Sequence, residues 1–115
     1  MNEVDQLDAI FGALSHATRR AILQHLAQKE ATVNELAEPF AMSLPAISRH
    51  IKVLEAAGLI SRGRNAQFRP CKINAAAFEK VAAWTEAYRP IWEHRFDTMH
   101  DVIRQIRETD DGTGK

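Results

Sequence analysis

Met42–Ile60 reads MSLPAISRHIKVLEAAGLI, and its two ends are marked by residues that start and stop helices. Ser43 is a good N-cap, Pro45 sits in the first turn where its missing N–H costs nothing, and Gly58 is placed for a left-handed C-terminal cap. At about 100° per residue, Leu44, Ile47, Ile51 and Leu54 fall within ~80° of one another and predict a buried stripe. Pro45, Arg49, Lys52, Val53 and Ala56 fall opposite, with Ser48 and His50 on the flanks. The front of this helix is therefore small or polar (Ser43, Pro45, Ala46, Ser48), with one long cation behind it. A helix that enters a major groove needs low bulk at its front, so that the backbone can approach, and a few donors that reach bases or phosphates. Arg49 is the candidate for a bidentate contact with guanine, Ser43 and Ser48 for bonds to bases or phosphates, and Lys52 for phosphate neutralisation. His50 divides between that surface and a role in packing or positioning the helix.

Upstream, Val4, Leu7, Ile10, Phe11 and Leu14 mark a first amphipathic helix. Ser15 is the expected cap of a second helix, in which Ala21, Ile22, Leu23 and Leu26 form a broad apolar face. Thr32 and Glu35 have capping-box spacing, so a short third helix begins at Val33 and is limited by Pro39. Only Phe40-Ala41-Met42 then separates it from Ser43. A short helix, a tight turn and a second capped helix make a helix-turn-helix candidate.

Downstream, LISRGR (59–64) and FRPCKIN (68–74) read as two extended runs of a hairpin around Asn65-Ala66-Gln67. Pro70 cannot donate to a ladder, so pairing ends near it. Arg62, Arg64, Asn65 and Gln67 cluster around the tip, where arginines on a narrow protrusion suit a minor groove or the phosphate backbone. Asn74 caps a last helical region that Pro90 kinks or breaks, and Thr109–Lys115 is expected to be a disordered tail. The predicted fold is mainly α with a small β-hairpin: a winged helix-turn-helix with an extra helix at each end, forming one domain over 1–108.

The 115 residues are 45% hydrophobic and 26% charged, as in a water-soluble protein, and no apolar run approaches the roughly 20 residues of a membrane helix. The formal net charge of zero is misleading. Residues 43–74 carry six cations against Glu55 alone, a net of +5, between ends of −3 and −2. Such segregation suits local phosphate contact. MNEVDQLDAIF lacks the features of a secretory signal, and a lone cysteine, Cys71, fits a reducing cytosol, so a cytoplasmic protein is expected. No phosphate-binding glycine loop, no paired-histidine metal motif and no nucleophile with a base at readable spacing is present, which argues against an enzyme, and no cofactor is expected.

Phe96, Met99, Ile103 and Ile106 follow 3–4–3 spacing, a coiled-coil-like seam, and Trp84, Tyr88 and Trp92 add large amphipathic groups upstream. With Leu7 and Phe11 of the first helix they are expected to meet a second subunit. His94, Asp97 and Asp101 share one face of the last helix beside His100, but exposed charges there are far commoner than ligands, so no metal is assigned. Cys71 has no resolving partner within the chain for a redox switch. The rival to DNA binding is a winged helix used only as a protein-interaction module, which would leave the basic hairpin without a purpose. Steep weakening by salt separates the two.

LSHATRRAILQHLAQKEATVNELAEPFAMSLPAISRHIKVLEAAGLISRGRNAQFRPCKIN (14–74) resembles the winged-helix repressors of the ArsR (arsenical-resistance repressor) family, above all in TRRAIL, ELAEPF and MSLPAISRHIKVLEAAGLI. The resemblance covers 7–74, and the long helical end is similar to the family's dimerisation region. It implies a homodimeric transcriptional repressor whose two recognition helices occupy successive major grooves of a palindromic double-stranded DNA operator. It places the recognition positions on Ser43, Pro45, Ala46, Ser48, Arg49 and His50, and a wing position on Arg64. Many members sense metals. The sequence departs from them here: the stretch around NELAEP contains no cysteine, and the order of His94, Asp97, His100 and Asp101 does not match the C-terminal metal pattern. The effector, if one exists, is not implied.

Overall fold

The structure, a computed structural model, describes residues 2–64 and 69–113, and the side chains of these except 95–97 and 109–113. Its elements in order are α1 (Glu3–Leu14), α2 (Ala17–Gln28), α3 (Val33–Ala37), α4 (Leu44–Ala56), β1 (Ile60–Arg62), β2 (Cys71–Ile73), α5 (Ala75–Glu86) and α6 (Arg89–Thr113). They form two compact units, 1–81 and 82–115, with the division inside α5.

In the first unit, local chemistry sets most boundaries. Asn2 caps α1 by accepting the Asp5 N–H at 2.9 Å, and Glu3 and Asp5 place negative charge on the positive end of the helix. At its other end Ser15 donates Oγ–H to Gly12 O at 2.7 Å. Ser15 is thus the C-cap of α1 and does not cap α2. That role falls to His16, whose Nδ1 accepts the Thr18 N–H at 3.2 Å. The backbone decides between them: His16 is extended (φ −111°, ψ 128°) as an N-cap must be, whereas Ser15 is still helical (φ −76°, ψ −5°). The last carbonyls of α1 find donors on α2, with Arg19 Nε on Ala13 O at 2.8 Å and Arg20 Nη1 on Leu14 O at 2.7 Å.

The Thr32–Glu35 capping box opens α3, with Glu35 N–H on Thr32 Oγ1 at 3.2 Å and Thr32 N–H on Glu35 Oε1 at 3.1 Å. The Thr32 backbone N–H, then its hydroxyl, holds the Glu35 carboxyl below its ordinary pKa. Ser43 caps α4 through the Ala46 N–H at 3.3 Å. Its other end is a Schellman motif: Gly58, at φ +78°, donates to Glu55 O at 2.9 Å, and Leu59 donates to Leu54 O at 3.0 Å. Leu54 and Leu59 are both fully buried, so the cap is closed by an apolar contact as well.

β1 and β2 pair antiparallel, Ile60 opposite Ile73 and Arg62 opposite Cys71. Both strands are shorter than the extended runs in the sequence, and β2 starts directly after Pro70, as a residue without a donor requires. A contact absent from the sequence reading adds a third edge. Cys71 N–H donates to Ala31 O at 2.7 Å and Ala31 N–H to Cys71 O at 3.1 Å, which ties β2 to the loop between α2 and α3. The core is built from Ile10, Ile22, Leu36, Ile47, Ile51, Leu54, Leu59 and Cys71, all fully buried. Leu44, expected in the α4 stripe, is 49% exposed. It is the first residue of the helix, a turn ahead of Ile47, where the core under α4 has already ended. Asn74 Oδ1 caps α5 by accepting the Ala76 N–H at 3.3 Å, and Ala77, Phe78 and Val81 pack on the core.

In the second unit, α5 ends in a turn closed by Tyr88 N–H on Thr85 O at 2.9 Å, and Pro90 is the second residue of α6. α6 runs 25 residues to Thr113, so the expected tail is helical as far as that point. Between Pro90 and Gly112 no proline or glycine interrupts the ladder.

Candidate nucleic-acid interface

α4 presents the two faces that its period dictates. Ile47, Ile51 and Leu54 are buried, whereas Ser43, Pro45, Arg49, Lys52, Val53 and Ala56 are exposed and Ala46, Ser48 and His50 are half-buried. Ser43 Oγ is committed as the acceptor of the cap, which leaves its proton free to donate outward. Among the described residues, no side chain longer than leucine precedes Arg49 on this helix, so the backbone of its first turn is accessible to a large partner.

His50 lies on the inner flank. Its ring centroid is 4.6 Å from that of His16, and Arg19 Nη1 lies 3.3 Å from its Nδ1. Burial, followed by the charges of His16, Arg19 and Arg49, holds its pKa below the ordinary imidazole value. His50 is thus a packing and positioning residue in geometry, although it occupies one of the positions the family resemblance assigns to recognition. Sequence reasoning missed Arg19 and His16 here. The bonding partner of Arg19 on α4 is 31 residues away, and no short-range spacing signals it.

The wing stands beside α4. Arg62 is half-buried and its Nε donates to Arg69 O at 3.0 Å, so its guanidinium braces the hairpin. Arg64, Arg69 and Lys72 are exposed. Asn65 and Gln67 lie outside the described residues. Arg69 and Lys72, which belong to the +5 segment but to none of the contact positions expected from the sequence, carry the basic character of the wing across to β2. At Gly63 a Cβ would lie 2.9 Å from Pro70 Cδ, and the Gly63 N–H donates to Pro70 O at 2.8 Å, so any larger residue there must displace the Pro70 ring or the strand. Arg49, Lys52, Arg62, Arg64, Arg69 and Lys72 therefore all belong to two adjoining elements, α4 and the hairpin.

A helix-turn-helix domain family matches residues 14–62. The transcriptional repressor SdpR of Bacillus subtilis is 35% identical over 78 residues, spanning 68% of this chain and 87% of the relative. Among solved structures, an ArsR family transcriptional regulator superposes with a TM-score of 0.70 at 43% identity, covering 76% of this chain and 97% of that one. The chain belongs to the ArsR family of winged-helix transcriptional regulators. A homodimeric winged helix-turn-helix DNA-binding domain from Mycobacterium bovis, a possible ArsR-family regulator, gives a TM-score of 0.61 at 27% identity over 79% of this chain and 85% of that one.

On this ArsR-family regulator, two further surfaces bear on assembly. On α1, Val4 and Phe11 are exposed and Leu7 is half-buried. In the second unit, the Trp84 and Tyr88 rings meet at 5.0 Å between centroids, tilted by 50°, and Trp92, Met99, Ile103 and Ile106 are exposed, Met99 and Ile106 by 57% each. The side chain of Phe96 lies outside the described residues. So many large apolar groups on one helix are more than a soluble monomer ordinarily leaves in water. Glu86, Arg89 and Glu93 form an ion-paired flank beside them, with Arg89–Glu86 at 2.7 Å and Arg89–Glu93 at 3.6 Å.

The metal-sensing positions of ArsR-family proteins are not assembled among the described residues: no group of three His, Cys, Asp or Glu side chains converges. His94 and His100 point to solvent, Asp101 pairs with Arg104, and the Asp97 side chain lies outside the described residues. Cys71 is fully buried, and burial pushes its thiol up from the ordinary value. No helix among the described residues is long and apolar enough to cross a membrane.

Proposed function

We propose that this ArsR-family regulator is a cytoplasmic homodimeric repressor that binds a palindromic DNA operator, with α4 in the major groove and the wing on the minor groove or backbone. One observation carries the reading: the exposed face of α4, small at its front and cationic at Arg49, adjoins a hairpin that supplies most of the remaining positive charge of the segment. Arg49 is the base reader, probing guanine with its fork. Ser43, Pro45, Ala46, Ser48 and His50 form the surface that approaches the groove, Lys52 neutralises phosphate, and Arg62, Arg64, Asn65 and Gln67 form the wing contact. Residues 1–108 act as one functional domain, in which Leu7, Phe11, Trp84, Tyr88, Trp92, Phe96, Met99, Ile103 and Ile106 cover one another across the two subunits. The repressor name of SdpR and the homodimeric state of the Mycobacterium bovis relative support the direction of regulation and the assembly.

The test begins by selecting duplexes from a random library with the wild-type protein, then measuring affinity by anisotropy. Arg49→Ala is expected to lose roughly 5- to 150-fold in affinity for the selected duplex, the worth of one bidentate base contact of about 1–3 kcal/mol. It should unfold at the same urea concentration as the wild type. Wild-type affinity in Arg49→Ala would remove α4 as the reader.

A further inference from the structure

Arg19, the third residue of α2, reaches in two directions. Nε and Nη2 hold the carbonyl end of α1, at 2.8 Å from Ala13 O and 3.3 Å from Gly12 O, while Nη1 is directed to His50 Nδ1 on α4 at 3.3 Å. A guanidinium has donors only, so the last contact requires a lone pair on Nδ1 and places the His50 proton on Nε2. His16 is constrained in the same way, because its Nδ1 accepts the Thr18 N–H. The charged or titratable groups that bear on His50 are His16 from the turn before α2, Arg19 from α2 and Arg49 from α4 itself.

α4 is otherwise seated by Ile47, Ile51 and Leu54, and apolar burial is non-directional. It fixes the depth of a helix better than its roll. A directed bond from the flank supplies what burial lacks. We propose that Arg19 is a positioning residue for DNA reading, which locks the roll of α4 through His50 and so aims Ser48 and Arg49. The inference rests on the reading of α4 given above. Protonation of His50 turns its acceptor into a donor facing a guanidinium, which releases the lock.

Selected duplexes and full-length protein test it. Arg19→Ala and His50→Ala should each lose about tenfold or more in affinity, and the double variant no more than the weaker single, because both remove one lock. The salt slope should stay at the wild-type value in both, whereas loss of a phosphate contact would flatten it by about 0.9. His50→Asn offers an acceptor near the Nδ1 position and does not titrate. It should recover at pH 7.5 most of the affinity that His50→Ala loses, and weaken less than the wild type between pH 7.5 and pH 5.5. If Arg19→Ala fails to fold, His50→Ala against His50→Asn carries the test. Additive losses, a flattened slope, His50→Asn as weak as His50→Ala, or a wild-type His50 protonated on Nδ1 by nitrogen NMR would each overturn the lock alone. A wild type that selects no duplex would overturn the DNA reading and the lock with it.

Discussion

Two glycines should respond to the same substitution with opposite signs. Gly12 lies inside α1 and Gly58 forms the left-handed cap of α4, and a Cβ built on either has nothing within 4 Å. Space is therefore the same in both, and only backbone conformation differs. At Gly12 the φ is helical, so Gly12→Ala should gain roughly 0.5–1 kcal/mol from the lower entropy of alanine in the unfolded chain. At Gly58, φ is +78°. Placing an L-residue there costs roughly 1–2 kcal/mol, offset by about 0.4–1 kcal/mol from the unfolded chain, for a net loss near 1 kcal/mol. With a urea m-value of about 1–2 kcal/mol/M, these correspond to midpoint shifts of ~0.25–1 M in opposite directions. Both variants and the wild type are to be melted in urea at one protomer concentration. Shifts of the same sign would refute the conformational account. A loss beyond about 3 kcal/mol at position 58 would show a collision that the open space excludes.

Gly63→Ala sets a Cβ against the Pro70 ring and should destabilise by roughly 1–3 kcal/mol through displacement of the hairpin, read as a lower urea midpoint with weakened duplex binding. Ile103→Glu places a carboxylate in the proposed seam of α6; if that seam is buried in the dimer, an unpaired charge there costs several kcal/mol and the dimer should weaken at least about 100-fold by sedimentation equilibrium. An intact dimer would remove the seam. The depressed pKa of His50 means that the folded chain binds fewer protons than the unfolded chain once the pH falls below about 6.5. Stability should therefore be complete above that pH and decline from 6.5 downward, and the decline should be smaller in His50→Asn. The lowered pKa of Glu35 acts on a lower window, contributing stability above about 4.5 that is lost as the carboxyl is protonated.

Local chemistry was legible in the sequence wherever a side chain answers its own backbone. The Thr32–Glu35 box, the Ser43 cap, the left-handed Gly58, the Asn74 cap and the break before Pro90 all depend on neighbours within four residues. Where the sequence misled, the deciding partner lay elsewhere in the chain or two candidates stood side by side. Ser15 and His16 both suit a cap, and only the backbone of each shows which helix it serves. The period of α4 cannot show that the core ends before Leu44. On the interface, the outward face of α4 was predictable because it is the complement of the buried stripe. The pairing of Arg19 with His50 was not, since it depends on how α2 and α4 are packed.

The short ladder between Ala31 and Cys71 gives the wing a second root. One edge of β2 is bound to β1, which follows α4, and the other to the loop that leads into α3. A hairpin fastened on a single side can swing; one fastened on both keeps a set distance from the helix beside it. The pair then works as a caliper of fixed opening. On the proposed DNA reading, one base pair inserted between the contacts of α4 and of the wing would separate them by about 3.4 Å along the duplex, more than a closed caliper takes up.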